Sequence, residues 1–346
     1  MRNFVAIVLL ALSFSACGSV TPDTSPSPMP SPTPTPMPPP PPQTWTLTGR
    51  VVVNQTGNPA SGVTVSVEGF EPTQTDGAGT FTITAEQTGS QNRSMTVSGP
   101  GFNTKETGVQ IGINQKVEIV LTSNVAPYNQ SFFDQLIRNG LDSPGNLGVV
   151  RHWTINPSFY VKTTDENDQP IPQSIIDTIV GVIKDAVPQL NRGQLQEAGI
   201  PVTGAETRPN SPGWIVINIV TGSLQSGGRE VCGVGGGGTN IGTVTLRLGN
   251  SACSCSSTPR IAPNTIAHEI GHAMGKFHHS FPGGVMNPSL SCSSASNSTF
   301  NADEQNYAGI SFLMPNGNLS LDKDPPGFVV GTHSSGRTTE SFVMIP

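Results

Sequence analysis

Twelve of the chain's 32 prolines fall in one tract, TPDTSPSPMPSPTPTPMPPPPPQ, from Thr21 to Gln43. Proline fixes φ and has no N–H to give, so proline at nearly every second position bars both helix and sheet and leaves an extended polyproline II spacer. At about 3.1 Å per residue the tract reaches roughly 70 Å, the length of a stalk. Folding must therefore happen behind it, in about 300 residues, which is room for two domains. Abundant glycine (39 residues) with only 6% aromatics favours short strands, turns and loops over helical bundles. A net charge of −6, with 12% charged residues and no basic run, speaks against a nucleic-acid surface or a polybasic membrane patch.

In front of the stalk, residues 1–17 read MRNFVAIVLLALSFSAC. One basic residue, an apolar stretch from Phe4 to Leu12 and small residues before Cys17 make an export signal. The apolar run falls short of the roughly 20 residues a membrane span needs. Phe14-Ser15-Ala16-Cys17 resembles a bacterial lipobox, with phenylalanine where leucine is usual. The resemblance implies acylation of Cys17 and a chain exported and lipid-anchored to a bacterial membrane, facing the periplasm or the cell surface. Residues 18–43 are then the linker.

Residues 44–123 alternate apolar and polar side chains in short runs (TWTLTGRVVV, GVTVSVEG, GTFTITAE, SMTVSGPG, KVEIVLTS) divided by turn signals such as NQTGNPAS and TDGAG. Strands at this spacing predict an antiparallel sandwich. Their order, with the TDGAGTF turn, resembles the carboxypeptidase-regulatory-like (transthyretin-like) module. The module carries no histidine, cysteine or convergent acid cluster, so it is expected to act as a spacer or a weak binding surface.

Residues 126–346 have a different texture. VRHWTINPSFYVKT (150–163) reads as a strand. In IPQSIIDTIVGVIKDAVPQLN, Ile175, Ile176, Ile179, Val180, Ile183 and Val187 share one helical face. WIVINIV (214–220) suits a buried strand, while GTVTLRLG (242–249) alternates and suits an edge strand that could take an extended peptide as an added strand. Between them CGVGGGGTNIG lacks the Lys-Ser/Thr ending of a phosphate loop and reads as a plain loop.

Four of the six histidines sit in TIAHEIGHAMGKFHHS (265–280). His268 and His272 are four apart, on one face of a helix and one turn apart in height, so both imidazoles can share an ion. Glu269 lies beside them as a candidate general base, and Ile266, Ile270, Ala273 and Phe277 would bury the opposite side. Gly275 tolerates a positive φ that ends the helix and lets His278 reach the same ion. Three nitrogen ligands leave a fourth position for water, as catalytic rather than structural zinc requires.

His268-Glu269-x-x-His272-x-x-Gly275-x-x-His278, followed by Val285-Met286-Asn287-Pro288, resembles the metzincin clan of zinc endopeptidases with its Met-turn at Met286. The Met-Asn-Pro order is most similar to matrixins. Pro288 stands where astacins and serralysins carry a tyrosine, and the glycine-rich loop lacks the Asp and His of a second metal site. The resemblance implies one Zn2+ on His268, His272 and His278, Glu269 as base, and a protein or peptide substrate. His279 is expected to be a donor behind the ligands or a surface residue; His152 and His333 are expected to be ordinary. Export makes disulfides the expected state of Cys232, Cys253, Cys255 and Cys292, with Cys232 to Cys253 and Cys255 to Cys292 favoured because Cys253 to Cys255 would be strained. With no cysteine between Cys17 and Cys232, a cysteine switch cannot supply latency.

The expectation is a multidomain chain, an all-β sandwich module followed by an α+β metzincin-like domain, acting as a zinc endopeptidase on extracellular or periplasmic proteins. The competing reading is a catalytically weak surface-attachment protein on a peptidase fold.

Overall fold

The computed structural model describes residues 41–87, 89–249, 251–288, 294–319 and 322–331. The export signal, Cys17, nearly all of the proline tract, Cys292 and His333 lie outside the described residues. The chain divides into Met1–Pro41 and Pro42–Pro346. The architecture of the second unit is mostly β-sheet with few helices, in several sheets with a sandwich-like arrangement.

Period-two alternation builds its first part. Strand β1 (Gln43–Val53) buries Trp45, Leu47 and Val51 and turns Thr46, Thr48 and Arg50 away from the core. It is followed by β2 (Thr64–Val67), β3 (Thr73–Gln74), β4 (Thr80–Gln87), β5 (Gln91–Ser98), β6 (Lys105–Ile111) and β7 (Gln115–Leu121). One sheet has the order β4-β1-β7, with β1 antiparallel to β4 and parallel to β7. In the other, β6-β5-β2-β3 are antiparallel neighbours. Leu47, Val51, Val65, Met95, Val97, Val109, Ile111, Ile119 and Leu121 fill one core. The turn before β4 is fixed by Asp76, whose carboxylate accepts from the Ala78 and Thr80 amides and the Thr80 hydroxyl.

Helix α1 (Gln130–Arg138) begins at Asn129, whose side chain accepts from the Phe132 amide, and ends at Asn139 in the left-handed region. Strand β8 covers only Ser158–Lys162, shorter than the strand expected over 150–163. The preceding segment satisfies its backbone elsewhere: the Val150 amide donates to the Asn318 carbonyl and the His152 amide to Asn316 Oδ1 at 2.7 Å. Helix α2 (Gln173–Gln189) buries Ile176, Ile179, Val182, Ile183, Ala186 and Val187. Next come β9 (Val202–Gly204), β10 (Trp214–Val220), the short hairpin of β11 (Gln225–Ser226) and β12 (Arg229–Glu230), β13 (Gly233–Gly236), β14 (Ile241–Arg247) and a single turn, α3 (Ser251–Ser254). They form a sheet in the order β13-β14-β10-β8-β9, parallel except for β13.

Two expectations are corrected here. The glycine-rich segment is not a loop throughout, because Gly233–Gly236 pair antiparallel with Thr243–Leu246. Strand β14 is consequently not the edge; it lies between β13 and β10, and β13 forms the rim. Helix α4 (Pro263–Ala273) packs on β13, β14 and α2. Helix α5 (Ala302–Phe312) packs on α1.

After α5 the chain returns to the first part. Strand β15 (Val329–Val330) extends the second sheet beside β6, in parallel. Asp322 accepts from the Thr122 amide and hydroxyl, both at 3.0 Å, and Asp324 pairs with buried Lys105. Arg192 donates to the Asn54 carbonyl at 3.0 Å, and Asn54 Nδ2 to that of Ile310 at 3.2 Å. These hydrogen bonds and the ion pair join the end of the chain to the first part, as buried polar groups are generally paired. Among the described residues no helix is long and apolar enough to cross a membrane.

Candidate metal centre

Pro263 opens α4 at a position where its missing N–H costs nothing. Ile266, Ile270 and Ala273 are fully buried and fix the helix against the sheet, and Trp153 Nε1 donates to the Ala273 carbonyl at 2.9 Å. The Met274 amide still reaches Ile270, after which Gly275 turns at φ +83°. A Cβ there would lie 2.8 Å from the Arg151 carbonyl oxygen, so both conformation and space demand glycine. The reversed chain returns His278 to His268 and His272.

Their Nε2 atoms form a near-equilateral triangle with sides of 3.1, 3.1 and 3.2 Å. The opposite ring nitrogens all face acceptors. His268 Nδ1 meets the Val285 carbonyl at 2.7 Å, His272 Nδ1 the Lys276 carbonyl at 2.8 Å, and His278 Nδ1 meets Asp142 Oδ2 at 3.0 Å. Each Nδ1 must therefore carry the proton, which leaves three Nε2 lone pairs pointing at one another. That arrangement is repulsive unless a cation sits among them. A tetrahedral ion with bonds of about 2.0–2.1 Å places its ligands roughly 3.3 Å apart, so the triangle fits one. Burial and the neighbouring imidazoles push His268 down to about 4 and His272 down to about 3, keeping both neutral at pH 7. The three histidines can hold a metal ion; the donor set is compatible with zinc without identifying it.

Glu269 is 5% exposed, and burial pushes it up to about 8, opposed by a hydrogen bond from the Gly235 amide. A dication at the triangle would lower it again. Strand β13 runs directly over this carboxylate: a Cβ on Gly233 would lie 2.5 Å from Glu269 Cγ, and one on Gly235 would lie 2.9 Å from His272 Cβ. Only a strand without side chains on that face can cover the helix so closely. The disulfide Cys232–Cys253 ties the start of β13 to α3. Cys255 is also disulfide-bonded, while Cys292 lies outside the described residues.

Met286 is fully buried in the core beneath α4. Its turn is clamped by Glu304, a residue not singled out in the sequence. Glu304 Oε1 accepts from the Met286 amide at 2.5 Å and lies 3.0 Å from His279 Nε2. Oε2 accepts from the Val285 amide at 3.0 Å and the Asn301 amide at 2.7 Å. The last contact completes a capping box on α5 with Asn301, and N-x-x-E at 301–304 was the available signal. His279 is wholly buried, its ring centroid 4.7 Å from that of Phe132 and tilted to it, and it lies in the core rather than at the surface. His152 is a core residue, its Nε2 2.8 Å from the Met314 carbonyl oxygen. Asp142 was likewise missed, since nothing local marks a turn carboxylate 136 residues before its partner.

No family model matches the chain, and no curated protein does. Among solved structures, a type II cohesin–X-dockerin complex from Acetivibrio cellulolyticus aligns at 16% identity over 23% of this chain and 58% of that one, with a TM-score of 0.19. A 3-chlorocatechol 1,2-dioxygenase from Rhodococcus opacus 1CP aligns at 11% identity over 23% and 60%, with a TM-score of 0.20. The 5-hydroxyisourate hydrolase of Klebsiella pneumoniae aligns at 23% identity over 23% and 92%, also at 0.20. The chain thus spans just over half of the first of these, and scores this low carry no argument about fold or activity.

Proposed function

We propose that the chain is a zinc endopeptidase of metzincin type, exported and held at a bacterial membrane through Cys17 with the proline tract as its stalk. The observation that carries the reading is the convergence of three histidine Nε2 atoms, 3.1–3.2 Å apart, beside a buried glutamate. The chemistry supplied by a zinc ion bound there is Lewis-acid activation of water and of the scissile carbonyl. His268, His272 and His278 hold the ion. Glu269 takes the proton from the attacking water and later delivers it to the leaving amine. Gly235 keeps the Glu269 carboxylate oriented, and β13, with its outer edge free of strand partners among the described residues, offers main-chain groups to an extended peptide. That role moves to β13 from β14, where the sequence had suggested it.

Digestion of a peptide library by the processed protein tests the proposal. Cleavage should stop on chelation and return with stoichiometric zinc. A protein that binds zinc but cleaves nothing would instead support the attachment-protein reading.

A further inference from the structure

We propose that Asp142 is a positioning residue that aims the third histidine, His278, at the metal; the inference rests on the metal-site reading above. His268 and His272 stand on one helix and are steered by backbone carbonyls of Val285 and Lys276, which are locked in the core. His278 lies beyond the helix end and is only half buried, so its ring needs another restraint. The α1 segment supplies it. The Phe277 amide donates to the Leu136 carbonyl at 2.8 Å, and the Ser280 amide to Gln135 Oε1 at 2.8 Å, holding the backbone on both sides of His278.

The turn that follows α1 is itself fixed. The Gly140 amide donates to the Asp134 carbonyl at 2.8 Å and the Ser143 amide to that of Asn139 at 2.9 Å. This places Asp142 Oδ2 3.0 Å from His278 Nδ1. A carboxylate acceptor there holds the proton on Nδ1, leaves the Nε2 lone pair for the ion and makes the ring a stronger donor. Among the described residues the Asp142 carboxylate makes no other hydrogen bond or ion pair, and its side chain is 49% exposed. It is therefore dispensable to the fold.

The test compares wild type, Asp142→Asn and Asp142→Ala as full processed chains. Zinc affinity is measured by chelator competition, the visible spectrum is recorded after cobalt(II) loading, and unfolding is followed without metal. Asp142→Ala should bind zinc roughly 10- to 100-fold more weakly and alter the cobalt bands. Asp142→Asn, which keeps an acceptor oxygen, should fall between. The unfolding midpoint of the metal-free protein should not move in either. Wild-type affinity and spectrum in Asp142→Ala overturn the inference while leaving the metal site intact, as does an affinity loss matched by an equal loss of metal-free stability. A wild type that binds neither metal overturns the metal-site reading and this inference together.

Discussion

Replacing Glu304 by alanine should be among the most costly single changes to the C-terminal part of the protein. Its wholly buried carboxylate accepts from the Val285, Met286 and Asn301 amides and faces His279 Nε2. Truncation leaves the two Met-turn amides buried without acceptors, at about 1–3 kcal/mol each. It also leaves His279 Nε2 without its buried partner, which adds to the same desolvation cost. A loss of about 4 kcal/mol is therefore expected in urea denaturation of the metal-free protein. Glu304→Gln, which keeps one oxygen but turns an NH2 group toward N–H donors, should lose about half as much. Asp303→Ala, exposed one residue earlier on the same helix, is the control and should stay below about 1 kcal/mol. A Glu304→Ala loss no larger than that of the control would refute the clamp.

Gly235→Val should keep zinc but lower peptide hydrolysis by about 10²-fold, because its side chain would push β13 away from Glu269 and His272; unchanged kinetics in a folded, zinc-loaded variant would place the cleft elsewhere. The metal-free protein should also show two opposed pH effects. His268 and His272 fall from 6.5 to about 4 and 3, so the unfolded chain binds more protons and their contribution, complete above pH 6.5, is lost as pH falls toward those values. Glu269 rises from 4.5 to about 8, so the folded chain binds the extra proton and stability is lost as pH climbs through 8. Metal-free Glu269→Gln should accordingly gain on wild type between pH 5 and 9 in denaturation midpoints; a constant difference across that range would contradict the burial argument.

Local pattern foretold what local physics decides. Strict alternation in TWTLTGRVVV marks β1, and the apolar stripe of Ile176, Ile179, Ile183 and Val187 marks α2. The four-residue step from His268 to His272 and the glycine at 275 foretold a helix, a turn and a returning histidine, and the structure brings those three rings together. Strand β13 was illegible because glycine has neither side-chain periodicity nor β propensity. What makes Gly233–Gly236 a strand is long-range: pairing with β14 and close passage over Glu269. The edge position of β14 was misread for the same reason, since a strand's neighbours are not written in its own sequence. Asp142 and Glu304 act across 136 and 25 residues, at separations where no helical or strand period links partner to partner. The segment before β8 reads as a strand in the sequence, yet Asn316 and Asn318 capture its backbone first.

The most direct test of the catalytic assignment is hydrolysis of a peptide library by wild type and Glu269→Ala, each freed of its signal peptide and assayed for zinc content. Glu269 is assigned to proton transfer and not to coordination. Glu269→Ala should therefore keep the fold and near-stoichiometric zinc while losing roughly 10²- to 10⁴-fold in turnover. Changing His268, His272 or His278 should instead release metal and activity together. A Glu269→Ala protein that retains zinc and cleaves peptides at the wild-type rate would contradict the assignment.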